Sequence, residues 1–189
     1  YGIGSPMDYA GMAVFLDKQN EMGRDQVIHD LIDIQYDRND YELKRGTFRV
    51  RGDNLDVFPP YADNPIRVEF WGDEIEEIAQ IDNVTGEVLQ SFEALPVWPA
   101  SHYVTARPKM EHAIKTIQEE LRERLQQVKD EGKLLEAQRL EMRVNYDLEM
   151  LETMGFCSGI ENYSRHLDGR EPGEPPYTLI DYFPKDFLC

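Results

Sequence analysis

Arginine and apolar side chains alternate strictly in two stretches, Thr47-Phe48-Arg49-Val50-Arg51 and Ile66-Arg67-Val68-Glu69-Phe70. Successive side chains of a strand point to opposite faces. Phe48, Val50, Ile66, Val68 and Phe70 therefore turn towards a core, while Arg49, Arg51, Arg67 and Glu69 gather on an open face, with Arg38 and Arg45 flanking its entrance. A guanidinium is a planar fork that grips carboxylates with two parallel hydrogen bonds, and its stem covers apolar surface; both properties suit protein interfaces. On spacing alone two outcomes stay open: a face that docks an acidic partner, or a solvated face whose charges pair across strands.

A second set, Tyr103, Phe156, Tyr163 and Tyr177, carries rings that could stack on nucleobases or pack in a core. Other chemistries find no residues to run on. The sequence has no G-x-x-x-x-G-K-[ST] phosphate loop. Its histidines, His29, His102, His112 and His166, show neither H-x-x-x-H nor H-E-x-x-H spacing, so a zinc site is not expected. Ser158 lacks the G-x-S-x-G elbow, and acidic pairs such as Glu76-Glu77 and Glu119-Glu120 read as solvated faces.

The elements that must hold the arginine face can be read from periodicity. Met12–Leu16 reads as a strand, Arg24–Ile34 as a helix with Val27, Ile28, Leu31 and Ile34 on its apolar side, and Asp37–Asp40 as a polar turn. Strands follow at Thr47–Arg51, Leu55–Phe58, Ile66–Phe70 and Ile75–Ile81, with Gly52-Asp53-Asn54 and Gly72-Asp73 as tight turns. This predicts an antiparallel sheet with one apolar and one polar face. Met110, Ile114, Ile117, Leu121, Leu125 and Val128 then fall at spacings of three and four, and Leu134, Leu135, Leu140, Val144, Leu148 and Leu151 form a second apolar series. Broken at Asp130-Glu131-Gly132 and ended at Gly155, they predict an antiparallel helical hairpin. Beyond it, Arg170–Pro176 reads as a loop and Tyr177–Phe183 as a strand. The fold class is α+β.

The 189 residues carry a formal net charge of −17 with 41% hydrophobic side chains. That supports a packed core and argues against a free-standing, nonspecific nucleic-acid binder, because long-range repulsion from phosphate would oppose it. No apolar run approaches the roughly 20 residues that span a bilayer, so no membrane partner is expected. Cys157 and Cys189, far apart in sequence, point to a reducing compartment, expected to be the cytoplasm. The start at Tyr1, with no Met, suggests a segment of a longer chain.

Longer strings are more specific. Asp33-Ile34-Gln35-Tyr36-Asp37-Arg38-Asn39-Asp40, Arg45-Gly46-Thr47-Phe48-Arg49-Val50-Arg51-Gly52-Asp53 and Arg67-Val68-Glu69-Phe70-x-Gly72-Asp73-Glu74 resemble the UvrB family, a component of the excinuclease ABC of nucleotide excision repair. So do Pro99–Thr105, Gly132–Glu141, Met154–Leu167, the opening Tyr1-Gly2-x-Gly4-Ser5-Pro6 and Thr178-Leu179-x-Asp181-Tyr182-Phe183-Pro184. A transcription-repair coupling factor has a related docking module, but its likeness would not extend through the hairpin. Two departures stand out: the loop Pro59–Pro65 is short, and Trp71 replaces a more usual Phe.

The resemblance implies a helicase-like ATPase that takes damaged DNA from UvrA, verifies the lesion and recruits UvrC. It implies that residues 1–11 link from a preceding helicase domain, 12–99 form the UvrA-binding domain 2 (a small antiparallel sheet with a helix), and 100–189 belong to domain 1b. The family's docking residues match Arg38, Arg45, Arg49, Arg51, Arg67 and Glu69, and its DNA path passes Tyr103 and Phe156. ATP and magnesium would act in the longer protein, since the phosphate loop and the D-E-S-H motif are not in these residues; this segment itself is expected to have no catalytic residue, metal or cofactor.

Overall fold

The computed structural model describes residues 4–101, 105 and 107–188. The chain divides into two compact units, Tyr9–Val104 and Tyr1–Asp8 with Thr105–Cys189, the division falling within the short helix α1 (Pro6–Gly11).

In the first unit the elements run β1 (Val14–Asp17), α2 (Arg24–Asp33), β2 (Asp37–Arg38), β3 (Thr47–Arg51), β4 (Asn54–Phe58), β5 (Ile66–Trp71), β6 (Glu74–Ile81), β7 (Val88–Phe92) and β8 (Ala94–Val97). Strands β2 to β7 make one sheet in sequence order, and β1 pairs with β8 in a second, two-stranded sheet. All pairings are antiparallel except β2 with β3, which run parallel. The larger sheet is thus mixed, and the polar stretch read as a turn contributes its edge strand.

Alternation sets the faces. Phe48, Leu55, Val57, Ile66, Val68 and Phe70 are buried on the inner face, with Val27 and Leu31 of α2, Val14 and Leu16 of β1, and Val97 of β8 in the same core. Burying a large apolar side chain stabilises by roughly 1.5–3 kcal/mol. The turns fix the register. Gly52 and Gly72, both with φ of 62°, take the first position of two-residue turns joining Arg51 to Asn54 and Trp71 to Glu74. A positive φ there alone marks the II′ class, whose twist suits adjoining strands. A bulge beside Glu69 and Phe70 shifts β6 by one residue, which lets Ile75 and Ile78 both face the core.

In the second unit α3 (Arg107–Asp130) and α4 (Leu134–Met154) form the expected hairpin. Gly132, with φ of 76°, ends α3: its N–H donates to the Lys129 carbonyl at 2.9 Å and the Lys133 N–H to the Val128 carbonyl at 3.1 Å, a Schellman closure. Ile117, Leu125, Val128, Ala137, Val144, Leu148 and Leu151 are buried. Leu134 and Leu135, placed on the apolar series by spacing, are instead 68% and 59% exposed, and it is Ala137 that packs at this end of the hairpin with Leu125 and Val128.

A 3-10 turn (Ile160–Tyr163) leads into α5 (Ser164–Asp168). The strand expected at Tyr177–Phe183 is not formed; Leu179–Tyr182 is a 3-10 turn. Asp181 Oδ2 accepts from both the N–H and the hydroxyl of Thr178, at 2.6 and 2.9 Å. Such local capping satisfies the backbone without a neighbouring strand.

Candidate functional site

The open face of the larger sheet is built by cross-strand register. Arg49 of β3, Asp56 of β4 and Arg67 of β5 lie directly opposite one another. Arg49 donates from Nε to Asp56 Oδ2 at 2.9 Å, and its Nη2 makes an ion pair with the same oxygen at 2.8 Å. Arg67 donates from Nε to Oδ1 at 2.8 Å and from Nη2 to Oδ2 at 3.2 Å. The two guanidiniums roof the carboxylate, which is only 3% exposed on a face that otherwise meets solvent. One carboxylate between two guanidiniums leaves a net positive charge. Asp56 also pushes the Arg67 pKa further up, chiefly through its hydrogen bonds.

Around this clamp the other charges differ in kind. In the next row, Arg51 opposes Asn54, Asn54 opposes Glu69 and Glu69 opposes Glu77, whose carboxylate accepts from the Ser91 hydroxyl at 2.9 Å. Arg51 is exposed and has no hydrogen bond or ion pair among the described residues. Arg45 lies with its guanidinium carbon 5.8 Å from the Phe58 ring centroid and Nη2 3.1 Å from Asp63. Arg38 stands apart: it is in register with inward-facing Phe48 and belongs to the sheet edge. There Asp40 holds it, accepting from Arg38 Nε at 3.0 Å and from the Val50 N–H at 2.9 Å, with Arg38 Nη2 in an ion pair at 2.9 Å. These bonds, Arg38's first, keep the Asp40 carboxyl below the usual range.

The structure thus brings Arg49, Arg51, Arg67 and Glu69 together, puts Arg45 beside them over Phe58, and leaves Arg38 at the rim. Asp56 was not singled out in the sequence. The signal was present, since a carboxylate between Leu55 and Val57 in a hairpin closed at Gly52-Asp53 must face the same way as Arg49.

Among the aromatic residues, Phe156 is 43% exposed just after Gly155, where α4 ends. Tyr103 lies outside the described residues. Tyr163 donates its hydroxyl to buried Asp147 at 2.8 Å, and Arg143 donates to the same carboxylate from Nε. That is a packing role. Burial first, then Asp147, pushes the Cys157 thiol up to about 11, so it is held as the unreactive thiol. Among the described residues no group of three or more His, Cys, Asp or Glu could hold a metal ion, and no helix is long and apolar enough to cross a membrane.

Fold and face define an α+β module that carries a clamped, arginine-rich sheet face, joined in sequence to a helical hairpin. The sequence model described as the UvrB interaction domain matches residues 14–103, and that of the UvrB third helical domain matches residues 108–169. UvrABC system protein B of Chloroflexus aggregans is 57% identical over 188 residues, and those of Caldicellulosiruptor bescii and Geobacillus kaustophilus are 57% and 58% identical over 189. All of this chain is covered in each case, but only 28–29% of each relative. The chain belongs to the UvrB family and spans under a third of the length of these relatives.

Proposed function

We propose that the Tyr9–Val104 unit is the surface through which a nucleotide excision repair protein docks UvrA, with Arg49, Arg51, Arg67, Arg45 and Glu69 on the contact face and Arg38 at its rim. One observation carries this. In a chain of net charge −17, arginines gather on one sheet face, and two of their guanidiniums are held in place from beneath by Asp56. Cross-strand pairing and docking are compatible, because the Asp56 pairs leave surplus positive charge and Arg51 stays open to an acidic partner. Desolvated charge pairs at such a face fix orientation, while rim charges act mainly on encounter rate.

The longer protein would take damaged DNA from UvrA, verify the lesion, recruit UvrC and hydrolyse ATP with magnesium, in the cytoplasm. Exposed Phe156, with Tyr103, would lie along its DNA path, where stacking on a base contributes about 1–3 kcal/mol.

Arg51→Ala tests the docking face most cleanly, since it breaks no internal bond. It should melt like wild type and capture UvrA at least about tenfold more weakly, a change of about 1.4 kcal/mol. Equal capture by a folded variant places the docking surface elsewhere.

A further inference from the structure

Asp56 has an exposed position in the sheet and yet is almost completely buried, by two arginines rather than by apolar side chains. Each arginine presents the same edge to it, Nε together with Nη2. A guanidinium held by two nitrogens of one edge cannot swing about its stem, so its outer N–H groups keep a fixed direction. Arg49 and Arg67 are only 19% and 22% exposed in their side chains, against 56% for Arg45, which reaches the freely exposed Asp63. The face therefore holds two preset arginines beside more exposed ones. An arginine fixed during folding loses no further freedom when a partner binds, which is where preorganisation strengthens a complex.

We propose that Asp56 is a positioning residue: its carboxylate presets Arg49 and Arg67 to receive the carboxylate oxygens of an acidic partner, and it acts only through them. This rests on the docking surface proposed above. The matching partner surface carries two Asp or Glu side chains placed to meet the two guanidiniums from outside.

Charge and positioning have opposite kinetic signatures here. Asp56→Asn makes the face more positive, which by charge alone speeds association with an acidic partner and does not hasten release. Loss of positioning speeds release. With the 189-residue chain flowed over immobilised UvrA, Asp56→Asn should dissociate at least fivefold faster while associating as fast as wild type or faster. Arg49→Lys keeps the charge and can still pair with Asp56, but has no planar fork, and should show the same faster release. An Asp56→Asn protein that melts cooperatively and dissociates at the wild-type rate overturns the positioning role. If that variant does not melt cooperatively, wild-type release by Arg49→Lys overturns it instead. Arg51→Ala separates the two levels: unchanged capture there removes the docking surface and this inference with it, whereas weakened capture beside an unaffected Asp56→Asn removes the positioning role alone.

Discussion

Removing the arginines of the Asp56 clamp singly and together should have very different consequences for stability. In Arg49→Ala, Asp56 Oδ2 loses the Arg49 hydrogen bond at 2.9 Å and the ion-pair contact at 2.8 Å, but Arg67 still reaches both oxygens at 2.8 and 3.2 Å. The loss is then that of hydrogen bonds to a charged group, about 1.5–3 kcal/mol. In Arg49→Met with Arg67→Met, side chains of similar reach still cover the carboxylate but supply no counter-charge, and the cost rises to about 3–5 kcal/mol. At about 4–8 °C per kcal/mol for a unit of this size, the double variant should melt at least about 12 °C lower. Replacing the whole clamp by apolar residues, Arg49→Met, Asp56→Val and Arg67→Met, should recover most of that loss, because no charge is left buried. Both tryptophans, Trp71 and Trp98, lie in the Tyr9–Val104 unit, so urea denaturation followed by their fluorescence reports this unit alone. A triple variant less stable than the double would show that Asp56 stabilises the sheet without its arginines, and the account of the clamp would fail.

Three further outcomes concern the hairpin unit. Tyr163→Phe withdraws the 2.8 Å donation to buried Asp147 and should lower stability by about 1.5–3 kcal/mol in urea denaturation followed by circular dichroism; no change would mean that water replaces the hydroxyl. Leu151→Ala, at a fully buried site, should cost about 2–5 kcal/mol, while Leu135→Ala at an exposed one should stay within about 0.5 kcal/mol; equal costs would contradict the packing described. His166, whose Nδ1 lies 2.9 Å from the Thr116 hydroxyl, has its pKa lowered, first by burial and then by Arg165, against the Glu120 carboxylate 2.8 Å from Nε2. In the window below its ordinary value of 6.5 the unfolded chain binds the extra proton, so the stability this group contributes is complete above pH 6.5 and falls as pH drops towards the folded pKa. His166→Gln should flatten that slope in denaturation series from pH 5 to 8; an unchanged slope assigns it to other groups.

Strands β3 and β5 were legible because an apolar residue stood at every second place, and the outward set Arg49, Arg51, Arg67 and Glu69 came with them. Strand β7 was not, because Val88 and Leu89 are adjacent and exposed and no alternation marks it. Strand β8 hides behind Pro96, tolerated opposite Phe15 in a two-stranded sheet where no further strand needs its missing N–H. The parallel pairing of β2 rests on two residues, too short for any periodic signal. At Leu179–Tyr182 an apolar run imitated a strand until the Thr178–Asp181 capping bonds decided otherwise. Asp56 escaped notice because its importance lies in what stands opposite it on two other strands, a property of register.

The order of the strands also bears on how the first unit assembles. From β3 to β7 each strand pairs with its neighbour in sequence across a short connection, so this meander can zip up through local contacts. The pairing of β1 with β8, which sets Val14 opposite Val97, must close a loop that contains the whole meander. Because loop-closure entropy is lost before such a distant contact gives anything back, the clasp should form late. Val97→Ala, which thins the clasp, should then speed unfolding and leave the folding rate nearly unchanged; a variant that chiefly slows folding would put the clasp in the nucleus instead.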